Sequence, residues 1–276
     1  MTKDFPAPAP LAGDAASAVV IRDGAAGLEV LMLRRLDRGS FAGAWVFPGG
    51  YVDPEDTPVR FQYDDAASWG ADVPVREVPA GLRAAARAAA VRETEEETGL
   101  VLNEADLVPT TCWVPPAASP KRMRAWYFLA PLAGGGGEIR LSPGEHSAAE
   151  WLTPADALAR HGAGEMLLVP PTWFTLHGLA VLGGAGGVAT VADAVADAVA
   201  AAESRAGGGA GAEFEQFRSQ QFAEAGRKYV VWHGDEAWED ELAAAGHGPH
   251  LPEAPSPAGT HRLDVTALPW TYEREF

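Results

Sequence analysis

Arg92-Glu93-Thr94-Glu95-Glu96-Glu97-Thr98-Gly99-Leu100 is the stretch on which the reading of this chain turns. It closes an alanine-dominated run that begins at Ala80, with Pro79 ahead of it and Gly99 where a C-terminal cap belongs. A helix is therefore predicted over 80–98. At about 100° per residue, Glu93, Glu96 and Glu97 share one arc of that helix, and Glu95 falls on the opposite side. Like charges at i,i+3 and i,i+4 each cost a few tenths of a kcal/mol. They also sit at the C-terminal end, where the helix dipole disfavours anions. A helix that carries this cost points to a compensating cation. Hard divalent ions take carboxylate oxygens, and Mg²⁺ commonly joins them to substrate phosphates. A solvated glutamate face is the plain alternative. The Gly49-Gly50 pair upstream, Arg92 beside the run and the immediate stop at Gly99 weigh against it.

Outward from this helix, the chain reads as a mixed α/β protein. Strand-like runs at 17–21 and 28–33 flank a turn at 23–27, and a short strand at 45–47 ends in Pro48-Gly49-Gly50. Residues 51–79 hold prolines and aspartates without a sustained period and read as a surface insertion. Strands are predicted at 110–114, 124–129 and 148–152, with a weaker candidate at 138–141. Thr153-Pro154 starts a helix, Thr as cap and Pro in the first turn. Helices are predicted over 171–182, along the Val188, Val191, Val195 and Val199 stripe, and over 213–225, with Phe214, Phe217 and Phe222 as its apolar side. Strands at 228–232 and 261–267 close the chain. The domain reading is a disordered leader over 1–16, a core over 17–160 interrupted by 51–79, and a helical extension with closing strands over 161–276.

Composition narrows the function. The 276 residues include 21 basic and 38 acidic side chains, a formal charge of −17, which argues against a nucleic-acid binder. An acidic protein that handles phosphates does so locally, through a few arginines or a metal. The single cysteine, Cys112, excludes an internal disulfide framework and a thiolate zinc cluster and reads as a buried thiol. No apolar stretch is long enough to span a membrane, and the first ten residues lack a signal-peptide core. The expected setting is cytoplasmic, with no membrane partner.

Gly49-Gly50 followed by Arg92-Glu93-Thr94-x-Glu96-Glu97-x-Gly99-Leu100 resembles the Nudix box, G-x5-E-x7-R-E-U-x-E-E-x-G-U, of the Nudix hydrolases. The resemblance implies an α/β/α sandwich around a mixed sheet. It also implies Mg²⁺- or Mn²⁺-dependent hydrolysis of a diphosphate joined to another moiety. The first half departs from the pattern. After the five-residue gap that follows Gly50 stands Asp56 instead of Glu, and the gap from there to Arg92 is 28 residues longer than the seven of the pattern. Asp53, Glu55 and Asp56 are the carboxylates available to replace the missing glutamate. Such an interrupted box resembles the branch containing peroxisomal acyl-coenzyme A diphosphatases and their bacterial relatives. Pro170-Pro171-Thr172-Trp173-Phe174-Thr175-Leu176, Gly234-Asp235-Glu236 and His261-Arg262-Leu263 resemble later motifs of that branch.

On that resemblance, Glu93, Glu96 and Glu97 hold the metal and Arg92 orients them. Glu145, five residues before Glu150-Trp151, is a further candidate ligand or base. His146 has the chemistry of a base, but a single loop histidine reads as a bystander. Gly49 and Gly50 line the substrate site. Arg34, Arg35 and Arg38 are candidate phosphate contacts, as is a second cluster of Lys121, Arg122 and Arg124. Trp45, Trp113 and Trp126 read as core residues. The expected partner is a small-molecule diphosphate, coenzyme A or acyl-coenzyme A first, with a homodimer left open. ADP-ribose or nucleotide-sugar pyrophosphatase is the enzyme alternative, and a non-catalytic nucleotide-binding regulator is the alternative from another class.

Overall fold

A computed structural model describes residues 11–39, 41–56, 75, 78–116, 119, 121–132, 134, 137–182, 189–206, 213–238 and 259–275. Strands β1 (Gly13–Gly24) and β2 (Gly27–Arg35) form the predicted hairpin, with Ile21 opposite Val30 and Gly24 opposite Gly27. Two short strands follow, β3 (Trp45–Val46) on β2 and β4 (Gly49–Tyr51) on β1. Helix α1 (Ala80–Thr98) takes the predicted span, and β5 (Val108–Val114), β6 (Met123–Pro131) and β7 (His146–Leu152) complete the core. The main sheet runs β3-β2-β1-β6-β5-β8, where β8 is Glu215–Arg218, with β4 beside β1 and β7 beside β2. It is mixed, because β1 lies parallel to β6 while β1 and β2 are antiparallel.

Alternation along β1 and β2 divides the core into two layers. Ala16, Ala18, Val20, Leu31 and Leu33 face α1, which answers with Ala85, Ala86, Ala89 and Ala90, all fully buried. Those alanines let the helix axis approach the sheet closely, which fixes the depth at which its glutamate end stands. Val19, Ile21, Val30 and Met32 face the other layer. There the sheet is covered by α2 (Pro154–Gly162), α3 (Pro170–Val181) and α4 (Val191–Ala206). The α/β/α sandwich around a mixed sheet is thus the observed architecture. Thr153 caps α2, its hydroxyl accepting from the Asp156 N–H at 3.1 Å, as the sequence predicts.

Several expectations change. The chain is already in β1 at Gly13, so residues 13–16 of the leader expected over 1–16 are strand, and residues 1–10 lie outside the described residues. The insertion expected over 51–79 also falls mostly outside them. Its described parts include Tyr51, which belongs to β4, a 3-10 turn at Pro54–Asp56, and the buried Val52, Val75 and Val78, which join the layer beneath α1. No strand forms at 138–141. The helix predicted over 213–225 is instead two strands, β8 (Glu215–Arg218) and β9 (Gln220–Glu224). β8 extends the main sheet parallel to β5. β9 opens a second, antiparallel sheet, β12-β11-β10-β9, with β10 (Arg227–Val231), β11 (Thr260–Asp264) and β12 (Thr271–Glu275). Tertiary packing overrides the near-helical phenylalanine spacing. Phe217 stacks on Trp113 at 4.3 Å between ring centres, and Phe214 packs edge-on against Trp126 on the opposite side of the sheet.

Candidate active site

The end of α1 is tied down before any chemistry is considered. Gly99 adopts a left-handed conformation, φ 72°, and its N–H donates to the Glu95 carbonyl. The last carbonyls of a helix need partners from outside it. Here the Arg140 N–H donates to the Thr98 carbonyl at 2.7 Å and the Ser142 N–H to the Glu97 carbonyl at 3.0 Å. The segment leading into β7 is therefore laced along the end of α1, which brings Glu145 and His146 to the glutamates.

Arg92 is the hub of the site. Its Nε and Nη2 donate to the two oxygens of Asp56, at 2.8 and 3.0 Å, and Nη2 also donates to the Tyr51 carbonyl at 2.9 Å. Nη1 donates to Glu93 at 2.9 Å and to Glu96 at 3.2 Å. Of the three carboxylates available for the missing first glutamate, Asp56 takes the guanidinium with both oxygens. Asp53 stands 3.7 Å away, with its backbone N–H donating to Asp56. These bonds hold the Arg92 guanidinium firmly protonated, with the Asp56 hydrogen bonds as the main cause.

The glycine pair is required by close approach. A Cβ on Gly49 would stand 2.2 Å from the Ala16 carbonyl oxygen of β1, and one on Gly50 would stand 2.4 Å from the Glu93 carboxyl carbon. The Gly49 N–H donates to Glu97 Oε2 at 2.9 Å. Glu97 is buried, and that burial pushes its carboxyl up to about 8, against the pull of the Gly49 bond. Glu93 is raised as well, first by burial, while Arg92 opposes the shift. The charges of Glu93 and Glu145 push Glu97 the same way, so three carboxylates converge here.

His146 is the residue that sequence reasoning missed. Glu97, Glu145 and His146 each offer a ligand atom within 4.8 Å of the others. The His146 ring is buried, its Nε2 lies 3.8 Å from Glu97 Oε1, and neither ring nitrogen has a hydrogen-bond partner among the described residues. Burial, aided by the Arg35 charge, pushes the imidazole down to about 4, so it is neutral near pH 7. The β2–β7 pairing shifts register between Arg34 and Arg35, with Arg34 opposite Ala148 and Arg35 opposite His146. Without that bulge His146 would share the face of Ala148 and Leu152, away from α1; with it, His146 meets Glu97. A histidine at the first position of a strand was the available signal, but the bulge that aims it has no sequence signature.

The arginines separate. Arg35 follows Leu31 and Leu33 on the α1 side and acts electrostatically on both Glu97 and His146. Arg34 faces the other way, bonded to Asp37 at 2.7 Å and Ser147 at 3.1 Å. Arg38 donates to the Gly144 carbonyl at 3.3 Å, beside Glu145. The second basic cluster is not a phosphate site. Arg124 is buried and ion-paired with Asp14 at 2.6 Å, Arg122 is buried against the Pro115 carbonyl, and Lys121 bonds the Tyr51 hydroxyl. Trp45, Trp113 and Trp126 are core residues, and Cys112 is a buried thiol pushed far up by burial. Gly234-Asp235-Glu236 and His261-Arg262-Leu263 meet, because Arg262 donates to both oxygens of Asp235, at 2.6 and 2.8 Å. No helix among the described residues is long and apolar enough to cross a membrane.

The donor set fits a divalent ion. Acidic oxygens converge, one carboxylate is buried at a cost its charge does not otherwise recover, and a neutral imidazole stands beside it without a partner.

Residues 63–168 match the NUDIX domain, a span that includes α1, β5, β6, β7 and α2 and leaves Gly49-Gly50 outside. Among solved structures, the chain is similar to a NUDIX hydrolase from Alicyclobacillus acidocaldarius, at 29% identity over 60% of this chain and 90% of that one, with a TM-score of 0.48. It is also similar to the NUDIX domain of Shewanella oneidensis NrtR complexed with ADP ribose, at 15% identity over 64% and 89% of the two chains, TM-score 0.41. A third is a C. elegans Ap4A hydrolase in a binary complex, at 22% identity over 61% and 96%, TM-score 0.37. No curated protein matches the chain.

Proposed function

We propose that this chain is a pyrophosphohydrolase built on a Nudix domain, that it acts on nucleoside diphosphate derivatives, and that its substrate is coenzyme A or acyl-coenzyme A. The observation that carries the reading is the Arg92 guanidinium. It gathers Asp56 from one side of the 28-residue interruption and Glu93 and Glu96 from the other, so an interrupted box still forms one constellation. The interruption, with the later motifs at Pro170–Leu176 and in the Asp235–Arg262 pair, supports the acyl-coenzyme A branch over its relatives.

Glu93, Glu96, Glu97 and Glu145 are the residues that would hold Mg²⁺ or Mn²⁺. The ion, when bound, neutralises the diphosphate and lowers the pKa of a bound water. Arg92 keeps the Glu93 carboxylate aimed away from its own helix and toward Gly50. Glu93 and Glu145 are the candidate bases. Arg35 lies on the carboxylate side of the sheet, where a substrate phosphate would meet it. Arg38, three residues past the end of β2, is the candidate for the 3′-phosphate that distinguishes coenzyme A from ADP-ribose.

The test is kcat/KM for coenzyme A, its 3′-dephospho form and ADP-ribose, with wild type and Arg38→Ala. A charge-assisted phosphate contact is worth about 1.5–3 kcal/mol, or roughly ten- to a hundredfold. The proposal predicts that preference for coenzyme A and its reduction in Arg38→Ala. Equal rates on coenzyme A and its dephospho form, or faster cleavage of ADP-ribose, would overturn it in favour of a nucleotide-sugar pyrophosphatase. Binding without turnover of any of the three would favour the regulator.

A further inference from the structure

We propose that His146 is itself a metal ligand, so that Glu97, Glu145 and His146 form a mixed nitrogen–oxygen site that prefers Mn²⁺ to Mg²⁺. The inference rests on the reading that this cluster takes a divalent ion, and it adds a donor that the box does not contain.

Three observations converge. The three side chains present ligand atoms within 4.8 Å of one another. His146 is buried, with 5% of its surface exposed, and both ring nitrogens lack a hydrogen-bond partner among the described residues. Leaving a buried polar group unpaired is costly, so an imidazole held this way needs a partner that the protein alone does not supply. Its Nε2 is 3.8 Å from Glu97 Oε1, wider by roughly half an ångström than the about 3.3 Å between tetrahedral donors on one ion, a gap that a small side-chain rotation closes.

The backbone around His146 is organised to aim it. The register shift opposite Arg34 and Arg35 turns the ring from the α2–α3 side of the sheet to the α1 side. The Leu36 N–H donates to the Glu145 carbonyl at 3.2 Å, which fixes the residue just before it. A histidine that merely filled space in this layer would sit among apolar side chains. His146 instead faces a carboxylate, with a second carboxylate beside it and the Arg35 charge behind.

Ligand chemistry gives the preference. Mg²⁺ favours all-oxygen shells in near-octahedral geometry, whereas imidazole suits later divalent ions. Mn²⁺ tolerates both, and it reports its ligands spectroscopically.

The test uses the full-length chain without substrate. Mn²⁺ and Mg²⁺ are titrated calorimetrically into wild type and His146→Gln, and the Mn²⁺-loaded wild type is examined by electron spin-echo spectroscopy for coupling to an imidazole nitrogen. The expected result is one tightly bound Mn²⁺ per chain with nitrogen coupling. In His146→Gln that coupling disappears, Mn²⁺ affinity falls at least tenfold and Mg²⁺ affinity changes less than threefold. Mn²⁺ binding to wild type without nitrogen coupling overturns the inference while leaving the hydrolase reading standing, and needs no folded variant. A parallel loss of both affinities in a folded His146→Gln would make His146 a packing residue beside Glu97 and also overturn it. No Mn²⁺ binding at all would remove this inference together with the metal site.

Discussion

Asp56 and Arg92, 36 residues apart in sequence, meet through two charge-assisted hydrogen bonds of 2.8 and 3.0 Å, and the same guanidinium passes on to Glu93 at 2.9 Å. Arginine's planar fork suits this arrangement, since it can grip a carboxylate with two nitrogens while a third reaches the next residue. The pair closes an interrupted motif in space that the sequence leaves open.

Removing the charge of Asp56 should therefore act through Glu93. Asp56→Asn is expected to lower kcat at least tenfold at saturating metal, with a stability loss of about 1–3 kcal/mol from the weakened pair of charge-assisted hydrogen bonds, Glu93 and Glu96 still balancing the guanidinium. Asp56→Glu should recover part of both. Activity measured beside thermal unfolding checks this; an Asp56→Asn variant with full kcat would show that Arg92 positions Glu93 unaided.

The two glycines should separate stability from activity. A side chain on Gly50 meets the far end of Glu93, which can swing aside, so Gly50→Ala should stay folded and lose about a hundredfold in turnover. A side chain on Gly49 meets backbone of β1, which cannot move cheaply, so Gly49→Ala should lower the melting temperature first. Comparable melting temperatures for the two variants would contradict this assignment.

Acidity of the metal-free protein carries a defined sign. The Glu97 carboxyl is pushed up to about 8 in the fold from an ordinary 4.5, so in that window the unfolded chain releases a proton that the folded chain keeps. Stability then falls as pH rises, by at most about 1.4 kcal/mol per pH unit. His146, pushed down to about 4 from 6.5, has the opposite effect below 6.5, as do His161, His177 and His261. The histidine contribution is complete only about one pH unit above 6.5, and beyond that the carboxylates dominate, with Glu93 acting in the same direction as Glu97. The melting temperature in chelator should fall by about a degree or more from pH 7.5 to 8.5, and Glu97→Gln should flatten that slope. A melting temperature that rises across this window in metal-free wild type would be inconsistent with a buried, protonated Glu97.

Phe217 tests the corrected C-terminal fold. It is fully buried and stacked on Trp113, with Phe174 and Trp232 edge-on to it. Phe217→Ala should cost about 3–5 kcal/mol in chemical unfolding. A loss below about 1 kcal/mol would fit a peripheral helix instead of a sheet strand.

What the sequence made legible was local. Alanine run, Pro79 and Gly99 define α1 to the residue, because composition and caps decide helices there. The glutamate face followed from the helical period alone. The strands at 215–224 were hidden because Phe214, Phe217 and Phe222 mimic a helical spacing, and only Trp113 and Trp126, distant in sequence, say otherwise. Asp56 could be named as one of three candidates but not chosen, since the choice depends on where the chain resumes after the interruption. His146 reads as a bystander in the sequence because the bulge in the β2–β7 pairing that turns it toward Glu97 leaves no mark in any residue pattern. Arg124 shows the converse: a basic residue in an acidic protein suggested a ligand, and Asp14 consumes it.

Glu97 is proposed to hold the metal of a diphosphate hydrolase with its buried carboxylate. That role is read from Mg²⁺- or Mn²⁺-dependent hydrolysis of coenzyme A by Glu97→Gln, a variant of nearly the same shape whose amide can still accept from the Gly49 N–H. A wild type that turns over only with metal, beside a cooperatively folding variant at least a hundredfold slower, is the predicted result. Turnover near the wild-type rate in the folded variant would contradict the account.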